Sequence, residues 1–283
     1  MRETKGWQQV IYQLILGLVA LFVLVPLWGT VYLAFDGGIR GIPLGFRIWP
    51  EEFTLDIFVQ TWKNPSQTLS FLELLKNSLI VSGGAALLSV IAGTSMAYAF
   101  ARYRFPGRKV GLFALLAGAL LPPVALMTPL YILLTILKIR TSLLGLIITY
   151  TAFAMPFCIW NMRAAFQAVP KELEEAAFID GATPVLAFWR ITLPLALPSI
   201  AVAALIAFLT GYTEFAIGWL FVESPDTFTL AMAVSDLLFR SGRTGWSYLA
   251  ALSIMMSAPV VLLFVLLQRY LLNRLIVGGV ASD

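Results

Sequence analysis

Residues 171–194 read KELEEAAFIDGATPVLAFWRITLP and lie between two long apolar runs. Pro170, just before them, suits the first turn of a helix, where its missing N–H costs nothing. Glu172, Glu174 and Glu175 then put carboxylates where the positive end of a helix dipole favours them. The spacing predicts a helix that stops at Gly181, a natural residue for the position just past a helix end. Thr183 as N-cap and Pro184 in the first turn open a second short helix running toward Arg190. Ala177 and Gly181, four apart, leave one side of the first helix almost without side-chain bulk, so another protein surface could approach its backbone. An amphipathic helix lying at a membrane interface would carry the same features.

Composition supplies the membrane. The 283 residues are 60% hydrophobic and 12% charged, and the mean hydropathy is +0.88. Such a chain is too apolar for a water-soluble domain and long enough for several spans. Cys158 is the one cysteine and histidine is absent, which excludes internal disulfides, Cys/His zinc sites and histidine acid–base catalysis. Cys158, inside an apolar run, is read as packing. The dipeptide Gly-Lys and the pattern G-x-G-x-x-G both fail to occur, so the chain has neither a P-loop nor a dinucleotide fingerprint. If ATP is used, a partner binds it. The net charge of +4 comes without a basic patch interleaved with aromatics, so no nucleic-acid partner is expected.

The apolar runs predict an all-α, polytopic membrane protein, one domain over residues 1–283, with six transmembrane helices at about 10–35, 77–101, 110–137, 143–165, 195–222 and 246–267. The first run follows a basic head with Arg2 and Lys5, lacks an A-x-A cleavage site and exceeds a signal-peptide core, so it is expected to be retained. The polar stretch from Asp36 to Lys76 carries turn signals at Gly37-Gly38 and Asn64-Pro65, with a short amphipathic helix expected after Thr54. Small residues (Gly83, Gly84, Ala85, Ala86, Gly93) suit the second span to close packing in lipid. Pro122-Pro123 and Pro129 free backbone carbonyls in the third, which neighbouring helices or a water-lined cavity must shelter.

Glu214 falls within the fifth apolar run, beside Thr213. A charge near a helix centre costs about 3 kcal/mol on insertion scales, so lipid exposure is not expected. Two readings stay open: a group lining a path, or a packed carboxyl bonded to a neighbouring span. With no evident intramembrane cation near it, an ion-coupled secondary transporter has little support, and a membrane-embedded enzyme lacks a nucleophile–base pair. The stretch Glu223 to Gly245, with Asp236, Arg240 and Arg243, exceeds what joining two helices requires. It is read as a contact surface, with a solvated connector as the plain alternative.

Orientation follows from the cations. Arg102, Arg104, Arg108 and Lys109 fall within eight residues, which places that turn in the cytoplasm. Six spans then put 170–194 and both termini on the same side. Eleven Lys and Arg fall on the proposed cytoplasmic side against eight outside, and four of those eight (Arg40, Arg47, Lys63, Lys76) lie in the one long outer loop.

Glu175-Ala176-Ala177, Gly181, Ile191 and Leu193-Pro194 match EAA-x3-G-x9-I-x-LP, seven positions in register over twenty residues. This segment resembles the signature of the membrane subunits of binding-protein-dependent ABC importers. Asn77-Ser78-Leu79-Ile80, the Tyr98 to Arg108 turn, Leu121-Pro122-Pro123, Met155-Pro156-Phe157 and Leu267-Gln268-Arg269-Tyr270 are similar to the maltose and multiple-sugar branch, and together they span nearly the whole chain. The resemblance implies that 170–194 is a coupling helix docking on an ATP-hydrolysing subunit through Glu174, Glu175, Ala176, Ala177, Asp180 and Gly181. It implies a second homologous permease, two ATP-binding subunits holding ATP and Mg, an extracytoplasmic sugar-binding protein that meets the Glu223–Gly245 loop, and residence in a prokaryotic inner membrane. No cofactor, metal or catalytic residue is expected in this chain. Tyr212-Thr213-Glu214-Phe215 departs from the family's usual Trp-Asn-Glu-Phe-like sequence, as does the tail ending at Asp283, which leaves the sugar open.

Overall fold

The computed structural model describes residues 6–39, 43, 45, 47–65, 69–240 and 245–280, with side chains except at 238–240 and 269–280. Every regular element among them is helical, and the one β feature is an antiparallel bridge between Asp36 and Phe53. Five helices are long and apolar enough to cross a membrane, or six if a sharply bent pair counts as one span. The chain divides into two compact units, residues 1–71 with 234–258 and residues 72–233 with 259–283.

In the first unit, α1 (Gly6–Phe35) presents its apolar residues outward from Trp7 to Trp28, as a helix in contact with lipid does. Its end is fixed by Asp36, which is fully buried. The Asp36 carboxylate accepts from the N–H groups of Gly38, Glu51 and Glu52 at 3.0, 3.0 and 3.3 Å. The expected amphipathic helix is α2 (Asp56–Lys63), whose first N–H donates to Thr54 Oγ1 at 3.1 Å. Ile57 of α2 packs with Ala34, Ala250 and Ala251 in this unit's core.

Most of the remaining elements lie in the second unit. Helix α3 (Phe71–Arg102) starts six residues before the expected 77, because Phe71 and Leu74 are buried and extend the helix beyond its purely apolar run. The third span is not one kinked helix. It breaks into α4 (Arg108–Leu120) and α5 (Pro123–Ile136), whose axes differ by 103°. Leu121 is forced extended by the proline after it, and Pro123 can begin a helix at no hydrogen-bonding cost but cannot continue one. Pro129 and Pro156, by contrast, are absorbed within α5 and α6 (Leu143–Ala168). Helices α6 and α9 (Leu193–Thr213) form the spine of this unit: Ala154, Cys158, Ile159, Met162 and Phe166 meet Ala196, Ile200, Ala203 and Ala207. Cys158 is buried in that seam.

After α7 (Lys171–Ile179), the expected short helix and fifth span are one continuous course. Helix α8 (Pro184–Ala187), a π-helical turn (Phe188–Thr192) and α9 (Leu193–Thr213) follow without interruption and form a single 30-residue span. That span ends at Thr213, not at 222. Glu214 is extended, with ψ 131°, and a short α10 (Ala216–Phe221) follows. The stretch from 223 to 245 is also not an open loop, since Leu230–Arg240 forms α11 and buries Leu230, Met232, Ser235 and Asp236. Helix α12 (Trp246–Val280) runs past the expected end at 267.

Candidate functional site

The 170–194 segment folds as its sequence demands. Helix α7 ends in a double-bonded C-cap: Gly181 N–H donates to Phe178 O at 3.1 Å and Ala182 N–H to Ala177 O at 2.9 Å. Gly181 has φ +86°, which glycine adopts without steric cost and a β-branched residue does not. Thr183 then caps α8, its Oγ1 accepting from Leu186 N–H at 3.3 Å. Of the six residues expected to face a partner, Glu175, Ala176, Asp180 and Gly181 are exposed and Ala177 is half-buried. Ile179 is 87% exposed, with Phe178, Val185 and Trp189 also exposed nearby in the chain. Exposed apolar side chains of this kind call for cover, by lipid or by another protein surface.

Glu174 is the exception, and it corrects the sequence expectation. Its carboxylate turns into the protein, where Arg102 Nε donates to Oε1 at 2.9 Å, with the two side chains 7% and 8% exposed. Thr192 Oγ1 donates to the same oxygen at 2.5 Å, and Tyr98 O–H reaches Oε2 at 3.4 Å. Arg102 Nη2 also donates to Val169 O at 2.9 Å. One buried acid thus ties α7 to the last turn of α3 and to the π-helical turn near the start of the fifth span. Glu174 holds the helix from behind while Glu175 faces outward, a split that adjacent residues on a helix make possible because they sit about 100° apart. In the sequence Arg102 stands out as an orientation charge and, with Tyr98, as part of a resembling turn, while nothing marks Thr192. The remaining signal was an Arg and an acid, each at a helix end.

A cavity of ≈ 550 Å³ opens within the second unit, lined by the α4–α5 break, by Tyr150 and Phe153 of α6, and by Thr210, Glu214 and Ile217. Glu214 is half-buried here. It borders the cavity, and it is bonded to a neighbouring span, since Tyr150 O–H donates to Oε2 at 2.8 Å. Its oxygens also accept from the N–H groups of Ile217 at 3.0 Å and Gly218 at 3.4 Å. The carboxylate therefore satisfies the backbone that the α9–α10 break exposes, which is the physical reason an acid is tolerated at this half-buried position. A Cβ at Gly218 would lie 2.0 Å from Met232 Cε and 2.9 Å from the Tyr150 hydroxyl, so glycine leaves room for both. Thr213 does not line the cavity; its hydroxyl donates back to Leu209 O at 2.8 Å.

Of the third expected site, only Asp236 is described with its side chain. Asp236 is 6% exposed within α11 and so does not present a surface contact, while the Arg240 side chain and Arg243 lie outside the described residues. The start of this stretch is instead pinned to α3. Asn77 Nδ2 donates to Asp226 O and Phe228 O at 2.8 and 2.9 Å, and Leu230 N–H donates to Ser78 Oγ at 2.8 Å. The Asn77-Ser78 pair, quoted above only as part of a resemblance, thus has a structural task. Arg140 acts alike at the end of α10, donating to Phe221 O at 3.0 Å and Glu223 Oε1 at 2.5 Å while its guanidinium stacks 4.6 Å over Tyr131.

Residues 89–277 match the family model described as the binding-protein-dependent transport system inner membrane component. The chain belongs to that family. The match takes in most of the second unit, including the α7 segment and the cavity. Among relatives of this permease, the inner membrane ABC transporter permease protein YcjP of Escherichia coli is 29% identical over 94% of both chains. The maltodextrin transport system permease protein MdxG of Bacillus subtilis is 30% identical, also over 94% of both. A solved bacterial ABC transporter involved in importing the acidic polysaccharide alginate shares the permease fold, with TM-score 0.77 at 19% identity over 95% of this chain and 99% of that one.

Proposed function

We propose that this permease is one of two homologous membrane subunits of an ATP-driven importer that carries a sugar or oligosaccharide delivered by an external binding protein. Similarity along almost the whole chain to a maltodextrin permease favours a carbohydrate over other small polar solutes. Two ATP-binding subunits, holding ATP and Mg, dock on the 170–194 segment, and this chain performs no covalent chemistry. The segment faces the cytoplasm, as do both termini, in agreement with the cations at Arg102 to Lys109.

The observation that carries the reading is the form of α7: an exposed apolar tip at Phe178 and Ile179 on a helix whose other side is anchored by Glu174 to α3 and the π-helical turn. A lever needs a gripping face and a rigid attachment, and this element has both. ATP-driven movement of the docked partner would pass through Glu174 into two spans and change access to the cavity beside Glu214.

The test is an Ile179→Cys variant in a Cys158→Ser background, labelled with a membrane-impermeant maleimide. Labelling is expected only from the cytoplasmic side, and assembly with the ATP-binding subunits should suppress it. Labelling from outside, or labelling unchanged on assembly, refutes the docking assignment.

A further inference from the structure

We propose that the turn between α3 and α4 is a binding site for the headgroup of an anionic phospholipid. Arg104, Phe105, Gly107, Arg108, Lys109 and Val110 line a cavity of ≈ 350 Å³ at this turn. Gly107 shapes it with φ +82°, and no atom lies within 4 Å of where its Cβ would be. Arg104 and Lys109 are exposed and Arg108 is half-buried. Among the described residues none of the three has a carboxylate within ion-pair distance. The fourth cation of the turn, Arg102, is taken up by Glu174 and Val169 O. Three unpaired cations within six residues repel one another, and an anion placed among them removes that penalty.

The chemistry of the flanks selects the anion. Tyr103, Phe105 and Val110 are exposed beside the cations, Val110 at 71%, and Arg102 ends a 32-residue helix long and apolar enough to span a membrane. The turn therefore lies at the depth of lipid phosphates, with aromatic and aliphatic groups adjoining the charges. A free inorganic anion would meet the cations and leave the apolar flank in water. An acidic protein surface would desolvate that flank against charge. A phospholipid meets both, placing phosphate among Arg104, Arg108 and Lys109 and acyl chain along Val110. The site needs only that α3 crosses the membrane, so it stands apart from the transport reading.

Each Lys or Arg near an anionic membrane surface contributes about fivefold in affinity. The purified full chain in neutral detergent is titrated with acyl-labelled phosphatidylglycerol and, separately, with phosphatidylcholine of the same chains. Wild type should hold phosphatidylglycerol more tightly, with binding that weakens as salt rises. The variant Arg104→Gln/Arg108→Gln/Lys109→Gln should bind phosphatidylglycerol about a hundredfold more weakly. Control Lys63→Gln/Lys138→Gln, which removes exposed cations elsewhere, should stay within about twofold, since its charges lie outside the site. If the triple variant aggregates, the single variants Arg104→Gln and Lys109→Gln, each expected at about fivefold, decide the matter. Equal affinity for the two lipids overturns the proposal, and so does an equal loss in the control. Full displacement of the lipid by millimolar inorganic phosphate would assign the turn to a free anion instead.

Discussion

Removing Glu174 probes the attachment of α7 most directly. The Arg102–Glu174 pair is 2.9 Å long with under a tenth of either side chain exposed, so solvent screens it little. Removing one partner of such a pair strands the other charge and costs about 3–5 kcal/mol. Glu174→Gln belongs at the lower end, because Arg102 keeps Val169 O and the new amide oxygen can still accept from Thr192. Arg102→Gln belongs there too, because two hydroxyls still reach the carboxylate. In the double variant no charge is stranded, so the two losses should not add; a coupling of about 1–3 kcal/mol is expected. The unfolding free energies come from titrating the purified chain in mixed micelles with dodecyl sulfate, followed by tryptophan fluorescence. A second readout is local: a 3 kcal/mol loss at this anchor should speed amide exchange in α7 about a hundredfold. Single and double variants that add within about 0.5 kcal/mol, or α7 amides that exchange at the wild-type rate, would refute the anchor.

Two further outcomes follow from backbone and cavity geometry. Gly181→Val should destabilise the end of α7 by about 1–2 kcal/mol, through its left-handed backbone alone, while Gly181→Asn stays near wild type; the protease sensitivity of the 181–183 bond region reads this, and equal sensitivity of the two variants contradicts it. A cysteine at 214 in the Cys158→Ser background should react with a water-soluble maleimide, because Glu214 lines the cavity, whereas reaction with lipid-soluble reagents alone would place it against lipid.

Much of this molecule is written locally. The two ends of α7, the start of α8, the left-handed glycine at 181, the membrane class and the small helix after Thr54 all follow from residues within one or two turns of each other. Capping, helix-dipole and transfer energies depend on near neighbours in sequence, so a linear reading reaches them. The exclusions were equally plain, since a chain without histidine cannot use it. What lay beyond that reading depends on residues far apart in the chain. Glu174 and Glu175 are indistinguishable as letters, and only the approach of Arg102, 72 positions earlier, turns one inward. Pro122-Pro123 and Pro129 are similar signals, yet the first pair breaks its span by 103° while Pro129 sits inside an unbroken α5, because two successive prolines remove adjacent donors where one removes a single bond. Glu214 looked like a charge in mid-helix, but a hydroxyl from Tyr150, 64 residues away, and two backbone donors make it the keystone of a helix break. Asp236 looked like a surface acid and is buried in α11. Charge pattern records that a polar group exists; which groups satisfy it is settled when distant helices pack, since in a low-dielectric interior a buried carboxylate persists only where donors converge on it.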